Sequence, residues 1–129
     1  MVAVDTNVLV RFLVRDDRRQ AERAAALIRG TSIWISKTVL LETEWVLRSL
    51  YGFPDEARAE ALQAMAGLET VYLEDELAVA KALAWFQEGL EFADALHLAS
   101  VGSSERFATF DRKLAKQVKP FTALEPISV

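Results

Sequence analysis

The chain has 129 residues, which suits one compact domain over residues 1–129 and leaves little room for a second. Apolar residues make up 52% of it and charged ones 26%, the balance of a globular protein with a sizeable core, and no apolar run is long enough to cross a bilayer. The absence of cysteine excludes disulfides and thiolate metal sites, while a net charge of -4 lacks the basic excess usual in nucleic-acid binders.

Val2 to Val10 reads as a buried strand running into a turn or short helix, with Asp5-Thr6-Asn7 set among apolar residues. Asp5 breaks the first apolar stretch and no basic segment precedes it, so a secretory signal is not expected and a cytoplasmic location is. Asp16 or Asp17 can cap a helix to about Arg29, with Gly30 as its stop. Ser32 to Ile35 forms a second short strand. Ser36 or Thr38 then caps a helix to about Tyr51, ended by Gly52, and Pro54 opens another to about Gly67. Thr70 to Leu73 is a third strand, followed by a helix from Asp75 to Gly89 and one from Phe92 to Ser103. Arg106 to Phe110 is a fourth strand, with a short helix near Leu114 and a brief fifth strand within Pro120 to Val129.

Short apolar strands alternating with helices predict an α/β fold: a parallel sheet of four to five strands with helices on both faces. Ligands of such sheets sit beyond the carboxyl ends of the strands, which is where Asp5 and Asp111 fall.

Most of the acids have ordinary explanations. Asp16, Asp17, Asp55, Glu56, Asp75 and Glu76 stand at helix starts, and Glu44 is spaced for a helical ion pair with Arg48. Asp5, Glu42, Asp94 and Asp111 resist this treatment. Asp5 interrupts a strand, Glu42 shares a helix face with Val39, Trp45 and Val46, Asp94 is enclosed in Phe92-Ala93-Asp94-Ala95-Leu96, and Asp111 follows Phe107 to Phe110. Carboxylates in apolar surroundings need a cation or dense hydrogen bonding. The ordinary alternative is that they pair with arginines or cap helices, which is open for Asp94 and Asp111 taken alone. Gathered in one pocket they would repel one another, and a divalent ion would remove that conflict. Oxygen ligands without cysteine favour Mg²⁺ or Mn²⁺ over Zn²⁺, and such an ion can supply a nucleophilic water for phosphodiester hydrolysis.

Asp5-Thr6-Asn7, Leu41-Glu42 with Trp45, Phe92 to Ala99, and Thr109-Phe110-Asp111-Arg112 together resemble the PIN-domain nucleases, and most of all the VapC toxins, over nearly the whole chain. The resemblance implies a PIN-like, Rossmann-like fold and an endoribonuclease using Mg²⁺ or Mn²⁺, with Asp5, Glu42, Asp94 and Asp111 as the catalytic, metal-binding acids. It implies Asn7 and Thr109 as polar helpers beside the pocket. It also implies an RNA substrate, homodimerisation and inhibition by a cognate antitoxin protein.

Other features invite several readings. His97, the only histidine, is more simply a packed or hydrogen-bonded residue than a general base. Trp34, Trp45, Trp85 and Phe86 are expected in the core or at a dimer contact rather than stacking on bases. The basic group from Arg11 to Arg29 fits either a phosphate track or a solvated helix face. Arg112 and Lys113, directly after Asp111, are better placed to meet a substrate phosphate. Competing functions are a phosphatase of the haloacid dehalogenase kind, a metal-free PIN-like module that only binds RNA or protein, and a PIN nuclease of RNA processing with no toxin role. The first expects a second aspartate two residues after Asp5, where Asn7 stands.

Overall fold

The computed structural model describes residues 1–129, apart from the side chain of Ser128. Each helix start follows from a local polar group. Asp5 has extended backbone and accepts from the Thr6 N–H, opening α1 (Thr6–Val14). Asp17 accepts from the Gln20 N–H and opens α2 (Arg18–Gly30), whose Ala21, Ala24 and Ile28 recur at helical spacing and are buried. Ser36 accepts from the Val39 N–H and opens α3 (Lys37–Ser49), which buries Leu40, Thr43, Glu44 and Leu47 on one face. Pro54, whose fixed φ suits a helix start, leads into α4 (Asp55–Ala66). Asp75 caps α5 (Glu76–Gln87), and Glu91 precedes α6 (Phe92–Ala99) without a side-chain cap bond. Asp111 caps α7 (Arg112–Gln117).

The strands are β1 (Val2–Ala3), β2 (Ile33–Ile35), β3 (Val71–Leu73), β4 (Arg106–Thr109) and β5 (Glu125–Ser128). Every pairing is parallel, in the order β1-β2-β3 for one set and β4-β5 for the other. Helices α1 and α2 bridge β1 to β2, α3 and α4 bridge β2 to β3, and α7 bridges β4 to β5. This is the expected α/β architecture with parallel strands, the strands pairing as a set of three and a set of two.

Alternation along β2 decides which way the first set faces. Ile33 and Ile35 are wholly buried, whereas Trp34 between them is 36% exposed and pairs with the exposed Tyr72 of β3. The core gathers Leu9, Ile28, Leu40, Leu62, Met65, Val79, Phe92 and Val118 from helices of both halves. Helices α5 and α6 pack closely, joined by a turn in which Gly89 holds φ +109°, a conformation that L side chains rarely adopt.

Two expectations need correcting. Strand β1 covers only Val2–Ala3, because the Asp5 cap turns the following apolar run into α1. Helix α6 ends at Ala99 and not at Ser103: Ser100 leaves the helical geometry and its N–H turns to His97 O, and Gly102 beyond it has φ +64°.

Candidate functional site

Asp5 lies two residues beyond β1. One of its oxygens takes the Thr6 N–H at 2.8 Å. The Thr6 hydroxyl in turn donates to Glu42 Oε1, so residue 6 touches acids from two elements 36 positions apart. Asp5 and Glu42 therefore form one pair, joined through Thr6 where α1 packs on α3.

Asp94 and Asp111 lie near enough for their charges to interact. Asp94 sits in the first turn of α6 and is half-buried. Its carboxyl holds its proton above the usual aspartate range, first because burial penalises the charge, then because Glu91 and Asp111 add like charge; His97 acts weakly the other way. Asp111 accepts from the Leu114 N–H at 3.0 Å as the cap of α7. Its own N–H donates to the Thr109 hydroxyl at 3.0 Å, which places Thr109 directly beside it.

Ion pairs account for some of the chain's acids but not for these four. Asp16 pairs with Arg11, Glu22 with Arg18, Asp75 with Lys37, Asp55 with Arg58 and Glu125 with Arg106. Glu44 pairs with both Arg48 and Arg58. Among the described residues, Asp5, Glu42, Asp94 and Asp111 belong to no ion pair. Pairing with arginine therefore does not account for them. Capping accounts for one oxygen of Asp5 and one of Asp111, and leaves Glu42 and Asp94 unexplained.

The apolar setting expected around them is found only at Asp94. Asp5, Glu42 and Asp111 are exposed. On α3 the enclosed acid is Glu44, 3% exposed, and the reason is rotational: positions 40, 43, 44 and 47 make the buried face, which turns residue 42 outward. Glu44 Oε2 lies 2.9 Å from Arg58 Nε of α4. Arg58 is itself buried, donates to Phe53 O and to Asp55 Oδ1, and lies over the Phe86 ring. Glu44 was expected as a solvated helical partner of Arg48; that contact exists at 3.4 Å but is secondary to the buried pair.

The remaining candidates are scattered. Asn7, the second residue of α1, is exposed and lines an open groove of about 580 Å³ with Val8, Arg11, Gln20, Arg23, Ala24 and Leu27. Arg112 and Lys113 are exposed at the start of α7, where the helix dipole disfavours cations and the Asp111 cap offsets them. His97 is exposed rather than packed. Trp34 and Trp45 are also exposed, at 36% and 51%, so neither belongs to the core, whereas Phe86 is buried against Phe92 and Trp85 leans on Phe121. Two contributors were not singled out from the sequence. Glu91 could have been found from its i, i+3 spacing to Asp94; the Thr6 bond to Glu42 spans 36 residues and left no local signal.

As donors, the four acids suit a hard divalent ion in kind: all are carboxylates, none is paired with a lysine or arginine, and burial with the charges of Glu91 and Asp111 disfavours the ionised form of Asp94. Among the described residues no group of three or more His, Asp or Glu side chains is placed to hold one ion. No described helix is long and apolar enough to cross a membrane.

No match to the chain is found among curated proteins or solved structures. The profile of the PIN domain, a family whose members are generally metal-dependent nucleases, matches residues 2–119 and so covers all four acids. With nearly all of its length matched, and with parallel strands and seven helices, the chain belongs to the PIN domain family.

Proposed function

We propose that this PIN-domain protein is an endoribonuclease dependent on Mg²⁺ or Mn²⁺, and the toxin of a VapC-type toxin–antitoxin pair. The observation that carries the nuclease reading is the match of the PIN domain family over residues 2–119, within which Asp5, Glu42, Asp94 and Asp111 stand without a cationic partner. Asp5, Glu42, Asp94 and Asp111 would hold the ion. When bound, the ion supplies a nucleophilic water at neutral pH and offsets charge growing on the phosphate. Glu42 is oriented by Thr6, and Asp111 is steadied by Thr109 and by the first turn of α7. Arg112 and Lys113, fully available beside Asp111, suit the phosphates flanking the scissile bond.

The toxin role adds a protein partner and a second copy of the chain. The groove between α1 and α2 starts at Asn7, two residues from Asp5, and combines an apolar floor with Arg11 and Arg23. Those properties suit an amphipathic, acidic segment of an antitoxin. Trp45 and Leu50 near one face of α3, and Leu77 on α5, are exposed and suit a second copy of the chain.

Incubation of RNA with purified protein and Mn²⁺ tests the nuclease reading. Wild type should cleave and chelation should stop it, while Asp5→Asn should be inert; equal decay with both proteins would overturn it. Expression in cells should arrest growth for wild type and not for Asp5→Asn, and harmless expression of an active nuclease would remove the toxin role.

A further inference from the structure

We propose that Phe110 is a specificity residue that stacks on an unpaired base of a single-stranded RNA, while the cations of α7 and Lys119 just beyond it hold the neighbouring phosphates. The inference rests on the ribonuclease reading above and deepens it, naming a contact that meets the base and needs no metal ion.

Phe110 is 81% exposed, whereas every other phenylalanine of the chain is buried or half-buried. A lone apolar side chain in water would need no explanation, but this one stands at a particular place. It is the first residue after β4, at the carboxyl end of a parallel strand, and Asp111 follows it. Alternation along β4 leaves Phe107 and Thr109 half-buried and puts Phe110 in phase with the exposed Arg106 and Ala108. The backbone around it is held. The Asp111 N–H donates to the Thr109 hydroxyl across it, and the Val129 N–H donates to Thr109 O at 2.9 Å. A ring on a backbone already fixed has little further ordering to undergo when a base stacks on it.

The charge beside it favours RNA over the apolar face of a protein. Arg112, Lys113, Lys116 and Lys119 follow with no acid among them, in a chain whose net charge is -4. All are exposed, and among the described residues none joins an ion pair. Arg112 and Lys116 stand four apart on α7, a like-charge spacing that costs a helix stability. Phosphates would relieve that repulsion. A single strand offers both things this surface lacks, free base faces and a regular line of negative charge, whereas a duplex hides the faces in its own stack.

The test is fluorescence anisotropy of a labelled single-stranded RNA with the full chain, in chelator and at low salt. Phe110→Leu keeps an apolar side chain and removes the ring; Phe110→Trp keeps a ring. Phe110→Leu should bind roughly tenfold more weakly, as for one lost base stack, and Phe110→Trp should match or exceed wild type. The loss should vanish on an abasic strand of the same length. Lys116→Gln should flatten the log–log salt dependence by about 0.7, one phosphate contact to a single strand. Equal affinity of Phe110→Leu and wild type, or an equal loss on the abasic strand, would overturn the stacking role. So would a polyglutamate peptide whose binding depends on Phe110 to the same degree, since the ring would then serve a protein partner. Failure of wild type to bind RNA in chelator overturns it as well, whatever Mn²⁺-dependent cleavage shows. Binding that depends on Phe110, without any cleavage, would uphold the stacking role and remove the nuclease.

Discussion

At the scale of single residues, Asp94 sets function against stability. The folded protein holds its proton more tightly than the unfolded chain, because of burial and then the charges of Glu91 and Asp111. Its contribution to stability is thus fully present below the ordinary aspartate pKa of about 3.9 and is lost as pH rises through the raised value. Asp94→Asn should therefore melt higher than wild type at pH 7 in chelator, with the gap closing as pH falls toward 4; saturating Mn²⁺ should favour wild type instead. A lower melting temperature for the variant in chelator would show that the charge is not strained. Arg58 illustrates the opposite case. It shares a buried pair with Glu44 and donates to Phe53 O, so Arg58→Met should destabilise by about 3–5 kcal/mol in urea unfolding. A loss under 1 kcal/mol would mean that Glu44 escapes to water. The sequence suggested neither member of this pair as buried. The i, i+4 spacing of Glu44 and Arg48 offered a simpler local partner, and a contact between α3 and α4 is invisible to spacing within one helix.

At the scale of elements, polar caps made most helix starts legible. Asp17, Ser36 and Asp75 each bond an N–H of the first turn, as their positions before apolar periodic runs suggested. The first apolar run was harder, since Val8-Leu9-Val10 suits a strand or a buried helix equally and only the Asp5 cap decides. Asp111 caps α7 as well as standing in the candidate site, and two substitutions separate those roles. Asp111→Asn keeps a capping oxygen and should hold stability within a few tenths of a kcal/mol while losing Mn²⁺-dependent cleavage; Asp111→Ala should also lose about 1 kcal/mol. Equal stability for the two variants would show that the cap contributes nothing. The α5–α6 turn should be equally demanding. Gly89→Ala places a side chain at φ +109° and should cost about 1–3 kcal/mol in thermal or urea unfolding, although the space around Gly89 is open. A neutral substitution would imply that the turn rearranges freely.

At the scale of the whole molecule, the α/β class was legible because strand-length apolar runs alternate with helical ones, and the family match over residues 2–119 agrees with it. The arrangement of the acids was only partly legible. Order along the chain suggested one pocket, whereas folding links Asp5 to Glu42 through Thr6 and leaves Asp94 and Asp111 only near enough for their charges to interact. Burial was a weak guide, since three of the four acids are exposed. The central claim is that the four acids serve one divalent ion, and calorimetric titration with Mn²⁺ after replacing each acid singly by its amide tests it most directly. Asp5→Asn, Glu42→Gln, Asp94→Asn and Asp111→Asn should each weaken binding markedly with one ion bound per site. Loss confined to some of them, with full affinity kept when the others are altered, would contradict it.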